Sequence, residues 1–438
     1  VFLVGDSDGR ATENIIIKDS DTAPIINYEN DIKIRIPDLI SLDWDSLMLG
    51  EISISGNYEH IDDLDISSDE KDLILDISDI SKDFAPGDSL ILSNVYFIVG
   101  STKNEDEDDH LELHVNDKKS ASDDEDDYSL IITKPSLVFT EENKAIVNDP
   151  QLTLSGLEFR EHHTYVTVIK DHNIIINLPA EPSDLSWDCQ SINFTVTGDN
   201  ILFTSSCYGS AVKSITLTPT SNFPPGYIIK FNNLFLNIPS DPVPDGDLTY
   251  TLRNNASPVI FNSKEDGPPK SFWVASPKTY SESRQSFYLE TGSQTVSRIN
   301  PIYFIEDDAN PVFGDLAKEI WITIPSDVAI WDIDYHYFSG NIKASSSIYP
   351  FFDFSSDSDT AKIIFKQNVN VGKGDTLIVS GLGIIAMKTS DTNEYLQYSL
   401  NNGLTINKID EEIFYIGDIH FTSSDNIIVY KNDLGIHE

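Results

Sequence analysis

A motif made of an alternating apolar run, a proline and a Trp-Asp pair occurs three times in this chain. Its copies are IKIRIPDLISLDWD (32–45), IIINLPAEPSDLSWD (174–188) and EIWITIPSDVAIWD (319–332). Successive prolines are 142 and 146 residues apart, and successive tryptophans are 143 and 144 residues apart. A period this regular indicates tandem homologous domains. The landmark residues are Pro37, Trp44, Pro179, Trp187, Pro325 and Trp331.

Two further landmarks follow each copy in the same order. FAPGDSLILSNVYF (84–97) corresponds to FPPGYIIKFNNLFL (223–236) and to VGKGDTLIVSGLGI (371–384), where a glycine-containing turn precedes a long alternating strand. The middle copy departs from the others because it lacks the Gly-Asp pair. An acidic loop and another strand come next, as DDHLELHVND, DGDLTYTLRNN and TNEYLQYSLNN. The shared order supports three related units.

Alternation of apolar and polar residues dominates nearly the whole chain and is typical of short β-strands. A chain of 438 residues suits about three domains of ~140 residues each. We therefore predict an all-β fold, with three tandem antiparallel β-sandwich domains and a C-terminal partial repeat. The predicted bounds are 1–135, 136–256 and 286–412 for the sandwiches, 257–285 for a linker or elaborated edge, and 413–438 for the first strands of a fourth repeat.

The chain is strongly acidic, with 72 Asp and Glu against 29 Lys and Arg and a formal net charge of −43. Such a surface repels nucleic acid and anionic lipid, so nucleic-acid binding is the least favoured function. Since 39% of the residues are hydrophobic, the chain can still bury cores. No run of 18 apolar residues occurs, so we predict no membrane span. The opening VFLVGD leads us to expect a processed or trimmed piece of a longer precursor.

The two cysteines, Cys189 and Cys207, both lie in the middle repeat, 18 residues apart. Two interpretations stay open at this stage. They are two buried thiols, or they form a local disulfide between neighbouring strands if the protein is extracellular.

Sequence signatures of enzymatic mechanisms are absent. The chain has no Gly-rich phosphate loop, no H-E-x-x-H, no G-x-S-x-G and no C-x-x-C, so we predict that it is not an enzyme. The three landmark tryptophans allow a sugar-binding platform. Their recurrence at one position favours a repeated plug in the core or at a domain interface.

Calcium is the one ligand that the sequence suggests. Ca²⁺ takes six to eight oxygen ligands, which clustered aspartates and backbone carbonyls can supply. The alternative is that these acidic loops are solvated and keep a secreted polymer soluble. The candidate calcium ligands are Asp6, Asp8, Asp106, Asp108, Asp109, Asp245 and Asp247.

The C-terminal stretch FYIGDIHFTSSDNIIVYKND, from residue 414, repeats the opening of a sandwich without its remaining strands. Two strands alone expose unpaired edges, so they need a partner. Either the tail packs on its own third domain or the polypeptide continues, or the tail pairs with a neighbouring copy by strand addition. The residues expected to carry such assembly are Phe414, Tyr415, Ile427, Ile428, Val429 and Tyr430.

The succession of NDIKIRIPDLISLDWD, DFAPGDSLILSNVYF and DDHLELHVND resembles the tandem β-strand repeats, of the Ig-like β-sandwich type, in large secreted or surface-anchored bacterial proteins. Adhesin stalks, surface-layer components and extracellular fibres belong to this class. The resemblance implies a structural or adhesive role outside the cell or at its surface. Together with the repeats and the C-terminal tail, it leads us to predict a structural subunit that assembles with copies of itself, head to tail, into a filament or surface layer. The alternative is an adhesin or carbohydrate-binding stalk module that contacts a glycan or a cell surface.

Overall fold

The structure is a computed structural model. It describes residues 1–5, 10–11, 13–28, 32–77, 80–105, 109–115, 120–123, 129–170, 172–190, 192–198, 200–207, 212–252, 259–263, 266, 271–289, 295–325, 327–332, 337–344, 351–354, 359–365, 371–390 and 393–418. The fold of this part of the chain is all-β, which confirms the predicted class. Within the described ranges, short 3-10 helices interrupt the strands at Ser46–Glu51, Tyr58–His60, Ile80–Lys82 and Asn341–Ala344.

Strand pairing divides the described strands into three groups, and no sheet combines strands from two of them. In the first group the sheets run in the orders β3-β9-β6, β2-β10-β5, β12-β11-β4-β8-β7 and β1-β13. Its strands are β1 (Phe2–Leu3), β2 (Arg10–Ala11), β3 (Ile15–Lys18), β4 (Ile32–Arg35), β5 (Leu42–Trp44), β6 (Ser53–Gly56), β7 (Asp63–Ile66), β8 (Asp72–Asp76), β9 (Ser89–Ser93), β10 (Tyr96–Val99), β11 (Glu112–Val115), β12 (Ser120–Asp123) and β13 (Ile132–Thr133).

The second group has sheets in the orders β14-β17-β23-β20, β16-β24-β19, β21-β22-β18-β26-β27 and β15-β28-β25. Its strands are β14 (Ser136–Phe139), β15 (Asn143–Ile146), β16 (Leu152–Leu154), β17 (Leu157–Arg160), β18 (Ile174–Asn177), β19 (Ser186–Asp188), β20 (Asn193–Val196), β21 (Phe203–Ser206), β22 (Ser214–Pro219), β23 (Ile228–Asn232), β24 (Leu234–Asn237), β25 (Val243–Gly246), β26 (Thr249–Leu252), β27 (Val259–Asn262) and β28 (Phe272–Ala275).

The third group has sheets in the orders β29-β32-β38-β35, β31-β39-β34 and β30-β41-β40-β33-β37-β36. Its strands are β29 (Lys278–Ser281), β30 (Gln285–Tyr288), β31 (Val296–Arg298), β32 (Ile302–Ile305), β33 (Glu319–Thr323), β34 (Ala329–Asp332), β35 (Tyr337–Ser339), β36 (Phe351–Phe354), β37 (Thr360–Ile364), β38 (Thr376–Ser380), β39 (Gly383–Ala386), β40 (Glu394–Ser399) and β41 (Lys408–Gly417).

Each group forms a two-layer sandwich, because the alternating side chains of one layer pack on those of the other. In the second group the ring of Phe159 on β17 contacts that of Tyr250 on β26, edge to face, with centroids 5.7 Å apart. In the third group Phe304 on β32 contacts Tyr398 on β40 in the same way at 5.7 Å. These four rings are fully buried. The core of each sandwich therefore lies between its two layers.

A shared hydrogen-bond acceptor explains the repeated Pro-Trp motif. The backbone carbonyl of Lys71 accepts the N–H of Ile36, the residue before Pro37, at 2.9 Å, and the indole N–H of Trp44 at 2.8 Å. The strand therefore ends at the proline while the tryptophan, from the facing layer, is held to the same carbonyl. In the second sandwich the carbonyl of Lys213 accepts the N–H of Leu178 at 2.9 Å and the indole N–H of Trp187 at 3.1 Å. In the third sandwich the carbonyl of Asp359 accepts the N–H of Ile324 and the indole N–H of Trp331, both at 2.9 Å.

The long strand predicted after each glycine turn is in fact two strands. Between β9 and β10 the chain passes through Asn94, whose φ is +56°. Asn233 (φ +50°) and Gly381 (φ +77°) occupy the same place in the other sandwiches. Asn and Gly are the residues that tolerate this left-handed conformation. The kink transfers the strand from one set of partners to another, since β9 pairs with β3 and β6 whereas β10 pairs with β2 and β5.

The segment 257–285, expected to be a linker or elaborated edge, contributes strands to both neighbouring sandwiches. Strand β27 pairs with β26, and β28 pairs in parallel with β15, so both belong to the second sandwich. Strand β29 pairs with β32 of the third sandwich. Strands β27 and β29 lie at the edges of their sheets, whereas β28 lies between β15 and β25. Proline and lysine between these short strands give the segment the composition of a linker.

The stretch from Phe414, expected to open a fourth repeat, instead closes the third sandwich. Residues 414–417 pair in parallel with β30, and Phe414 also lies opposite Glu394 of β40. Phe414 and Ile416 are fully buried. Deleting residues 414–438 would therefore remove a core strand, and it would not leave a folded monomer.

Replacing Trp187 by Phe tests the shared acceptor. Phe keeps an aromatic ring but is smaller than Trp, and the Lys213 carbonyl loses one of its two partners, so we expect the second sandwich to lose at least about 1–2 kcal/mol of stability. Calorimetry of the full chain measures this as a lower Tm of one transition. Trp321→Phe is the control, because its indole N–H bonds to Glu319 at a half-exposed position. Equal shifts for the two variants would contradict the role of the shared carbonyl.

Candidate assembly interface

Successive sandwiches are joined by very short connections. Strand β13 ends at Thr133 and β14 begins at Ser136, while β28 ends at Ala275 and β29 begins at Lys278. The strand that closes one sandwich is thus followed almost at once by a strand of the next. Because no flexible linker intervenes, neighbouring sandwiches contact each other directly.

The first strand after each junction covers the edge of the next sandwich. Strand β14 pairs antiparallel with β17, placing Leu137 opposite Phe159. Strand β29 pairs antiparallel with β32, placing Thr279 opposite Phe304. Without these strands, β17 and β32 would present unpaired backbone groups at the sheet edge.

Strand β3 is the counterpart of β17 and β32 in the first sandwich, but no strand of the described residues covers its outer edge, which we call the bare edge. Among the described residues, β3 pairs with β9 alone. Ile16 is 66% exposed. The N–H of Asp19 donates to Asp88 at 2.9 Å on the β9 side, so the alternate residues Ile16 and Lys18 direct their backbone groups to the free edge.

One carboxylate follows each of these three strands, at Asp19, Glu161 and Glu306, and each is nearly inaccessible to solvent. Asp19 accepts the backbone N–H groups of Ser20, Ile25 and Ile26 at 2.7–3.1 Å. These bonds satisfy a loop that crosses from one layer to the other, where the backbone has no ladder partner. Glu161 accepts from His162, Thr167 and Val168 at 2.8–3.0 Å, and Glu306 accepts from Asp307 and Phe313 at 2.7–2.9 Å.

These carboxylates do not stand out in the sequence, and were not among the predicted site residues, because the chain holds 72 acidic residues. They recur at steps of 142 and 145 residues, the same period as the landmarks. That period is the signal by which they could have been found. Burial raises the pKa of Glu161, and burial raises the pKa of Glu306 to about 7, against the opposing effect of the backbone donors.

The junction of the second and third sandwiches is polar. Asp149, in the turn after β15, accepts the side-chain N–H groups of Asn401 at 2.5 Å and Asn407 at 2.8 Å. Asn407 also donates to the carbonyl of Val147 at 3.2 Å, and Asn148 donates to the carbonyl of Asn407 at 3.0 Å. Amide side chains with buried partners give this contact a defined geometry.

Two further contacts lie at the rim of the same junction. Lys144 forms an ion pair with Asp315 at 2.6 Å, and its ammonium group lies 5.3 Å from the ring centre of Trp273. Asn310 donates to the carbonyl of Pro244 at 2.8 Å.

The junction of the first and second sandwiches uses different groups. Glu105 accepts the hydroxyl of Thr133 at 2.7 Å and lies 3.5 Å from the imidazole of His162. The hydroxyl of Tyr250 donates to the carbonyl of Pro135 at 2.5 Å. The two junctions thus share their strand connection but differ in side-chain chemistry.

Four of the seven candidate calcium ligands, Asp6, Asp8, Asp106 and Asp108, lie outside the described residues. Asp109 accepts the amide of Asn104 at 2.8 Å, and Asp245 and Asp247 lie at and beside β25. Within the described ranges, no cluster of three or more His, Cys, Asp or Glu side chains is suited to hold a metal ion. Calcium binding stays a prediction.

Cys189 and Cys207 form a disulfide with Cα atoms 5.6 Å apart. Cys189 follows β19 and Cys207 follows β21, so the bond ties strands from two different sheets. A pocket of about 150 Å³ lies beside it, bordered by Ile192, Phe194, Ser205 and Ile215. Its volume is below the roughly 300–1,000 Å³ typical of small-molecule sites.

The landmark tryptophans are buried, with Trp44, Trp187 and Trp331 between 1% and 4% exposed. Their rings therefore offer no platform for a sugar. Pro37 and Pro179 are half-buried and Pro325 is buried.

Of the predicted assembly residues, Phe414 and Tyr415 lie in β41, whereas Ile427, Ile428, Val429 and Tyr430 lie outside the described residues. In the described part of the chain, no helix is long and apolar enough to cross a membrane.

No protein-family model matches the chain, and no curated protein matches it. Solved structures similar to it include the C-terminal domain of the Streptococcus agalactiae AgI/II polypeptide BspA (9% identity, TM-score 0.37, 64% of this chain and 98% of that one). The C-terminal domain of the Streptococcus pyogenes antigen I/II-family protein AspA matches with 9% identity, a TM-score of 0.31 and coverage of 65% and 97%. The Corynebacterium diphtheriae major pilin SpaA matches with 9% identity, a TM-score of 0.23 and coverage of 93% and 100%. TM-scores below 0.5 assign the chain to no family.

Replacing Glu306 by Gln tests the buried carboxylate. With a pKa near 7 in the folded protein and 4.5 as the ordinary value, the folded state binds more protons than the unfolded state between these pH values. This group therefore stabilises the fold below about pH 4.5 and loses that contribution as the pH rises through 7, by up to about 3 kcal/mol. Tm measured from pH 5 to 8 should fall less steeply in Glu306→Gln.

The matched control is Glu411→Gln, which removes the same single charge from an exposed position on β41. It should keep the slope of the unaltered protein. A slope in Glu306→Gln as steep as that of the control would contradict the assignment.

Proposed function

We propose that the chain is a structural subunit of an extracellular filament or surface layer, in which copies join head to tail through β-strand pairing and interdomain packing. Its task is mechanical connection. The sandwiches follow one another without flexible linkers, and the junctions are closed by hydrogen-bonded side chains such as Asp149, Asn401 and Asn407.

The observation that carries this proposal is a parallel strand pair that recurs in every sandwich. Strand β1 pairs with β13, β15 with β28 and β30 with β41, each time an early strand with the last strand. Parallel strands leave their N- and C-terminal ends at opposite ends of the ladder. Pulling on the two ends of a sandwich therefore slides the pair lengthwise and loads all its hydrogen bonds together.

The antiparallel covering strands lie on the same force path. Strand β14 enters the second sandwich along β17 before the chain continues into β15, and β29 enters the third along β32 before β30. Force transmitted through a junction thus reaches two strand ladders in succession. An enzyme or a binding module has no need of this arrangement in every domain.

Two features support an extracellular location. The disulfide of Cys189 and Cys207 is a bond that persists in oxidising environments and is rare in the cytosol. The net charge of −43 keeps a protein at high local concentration from associating nonspecifically.

Assembly of the purified full chain tests the proposed function. Negative-stain images and sedimentation over a range of concentrations should show linear filaments or sheets of regular subunits. Dispersed single rods at every concentration, in moderate salt that screens the acidic surface, would contradict it.

Val147→Pro tests the mechanical role. The N–H of Val147 donates to the carbonyl of Ala275 at 2.9 Å at the end of the β15–β28 ladder, and proline removes that donor. Stretching single chains by their ends should show one of the unfolding events at lower force. Val147→Ala keeps the N–H and is the control for the lost side chain. An unchanged force in Val147→Pro would show that this ladder does not bear load.

A further inference from the structure

We propose that the bare edge of β3 receives residues 420–423 of a second copy of the chain as an added antiparallel strand. This inference rests on the proposed function and specifies the joint between subunits. The acceptor, Ile15–Lys18, lies in the first sandwich, and the donor follows the strand that closes the third.

The internal repeat identifies the donor. The carbonyls of Thr133, Ala275 and Gly417 occupy one structural position, since each accepts the N–H of the corresponding residue of the early parallel strand, at 3.0, 2.9 and 2.9 Å. The covering strands β14 and β29 begin three residues after Thr133 and Ala275. The same step from Gly417 leads to His420, which starts the tetrapeptide HFTS (420–423).

The residue pattern of this segment fits a covering strand. In KTYS (278–281) the second and fourth residues are buried, and in SLVF (136–139) the second, third and fourth residues are buried. The second and fourth positions are therefore buried in both strands. These residues are Leu137 and Phe139 in β14, and Thr279 and Ser281 in β29. HFTS places Phe421 and Ser423 at the corresponding positions, so its large apolar residue falls on the side that the sandwich buries.

The acceptor is identified by the same register. Phe159, Phe304 and Ile17 are buried on equivalent strands, and each precedes its buried carboxylate by two residues. Since Leu137 lies opposite Phe159 and Thr279 opposite Phe304, Phe421 would lie opposite Ile17. Thr422 would then lie opposite Ile16.

Covering this edge would bury what the first sandwich leaves exposed. Ile16 is 66% exposed, whereas its counterpart Glu158 is 7% exposed beneath β14. The other counterpart, Tyr303, stacks on Tyr280 of β29 with ring centres 5.0 Å apart. An uncovered strand with an exposed isoleucine is a template for pairing with another chain.

The geometry of the junctions indicates that the donor reaches a different molecule. Strand β14 follows directly on the strand that closes the first sandwich, yet it pairs with the second. Strand β29 likewise leaves the second sandwich and pairs with the third. A fourth covering strand is therefore directed to a sandwich beyond the third, and the matching bare edge is β3 of another copy. Repeated addition of this kind is head to tail, and it builds a filament when the rotation between copies does not close into a ring.

Site-directed cross-linking tests the joint with two single variants, Ile16→Cys and Thr422→Cys, mixed in equal amounts. Directly opposed residues bring their Cβ atoms to about 5 Å, within the span of a short bifunctional thiol reagent. We expect one cross-linked dimer in the mixture and little product with either variant alone. The native cysteines do not interfere because they are bonded to each other. Ser55→Cys replaces Ile16→Cys in the control mixture, since Ser55 is exposed on β6, the opposite edge of the same sheet.

A second pair of variants tests the backbone. Ile16→Pro removes an N–H that faces the free edge, so the bonds to β9 are kept, while strand addition loses a donor. Ile16→Thr keeps that N–H. We expect Ile16→Pro to abolish assembly in sedimentation, Ile16→Thr to retain it, and both variants to keep the Tm of the first sandwich.

The outcomes separate the two proposals. Filaments that persist in Ile16→Pro, with no specific cross-link, would overturn this joint and leave the proposed function standing. A chain that never assembles would overturn both. A double variant, Ile16→Cys with Thr422→Cys, that cross-links within one molecule would show that the tail folds back, and it would overturn the joint.

Discussion

Three backbone carbonyls, those of Lys71, Lys213 and Asp359, each hold the two layers of a sandwich together. Each carbonyl uses both lone pairs, accepting the last N–H before a proline and the indole N–H of a buried tryptophan. An unpaired buried donor would cost about 1–3 kcal/mol, so the proline, the tryptophan and the acceptor must keep their places together. This constraint explains why the motif recurs at a steady period although most other residues of the three units differ.

Some acidic residues of this chain stabilise the interior of the sandwiches. In the described part of the chain, the carboxylates of Asp19, Glu161 and Glu306 are buried and accept hydrogen bonds from the backbone of the loop that crosses between layers. Where the chain changes sheets, a side-chain carboxylate thus accepts the backbone N–H groups that a neighbouring strand would otherwise accept. Burial raises the pKa of Glu161 and of Glu306, because each carboxylate loses its hydration, and the stability of the fold therefore becomes sensitive to pH.

The strands that connect two sandwiches take part in the structure of the following sandwich. Each covering strand, β14 or β29, directly follows the strand that closes one sandwich, but it pairs with a strand of the next sandwich. The parallel ladders then return the chain to the far end of each sandwich. In the described residues, strand connectivity and strand pairing therefore continue from one sandwich into the next across both junctions.

The all-β class, the period and the landmark positions can be predicted from the amino-acid sequence, since they depend on side-chain alternation and on local turn chemistry. The sandwich that each short strand joins cannot be predicted in this way, because it depends on tertiary contacts. Residues 414–417 and 272–275 have the same apolar pattern as an opening strand, and their partners lie 129 residues away along the chain. The buried carboxylates were hidden for the same reason, because burial is a property of what packs around a residue, and any one of the 72 acidic side chains looks alike in sequence.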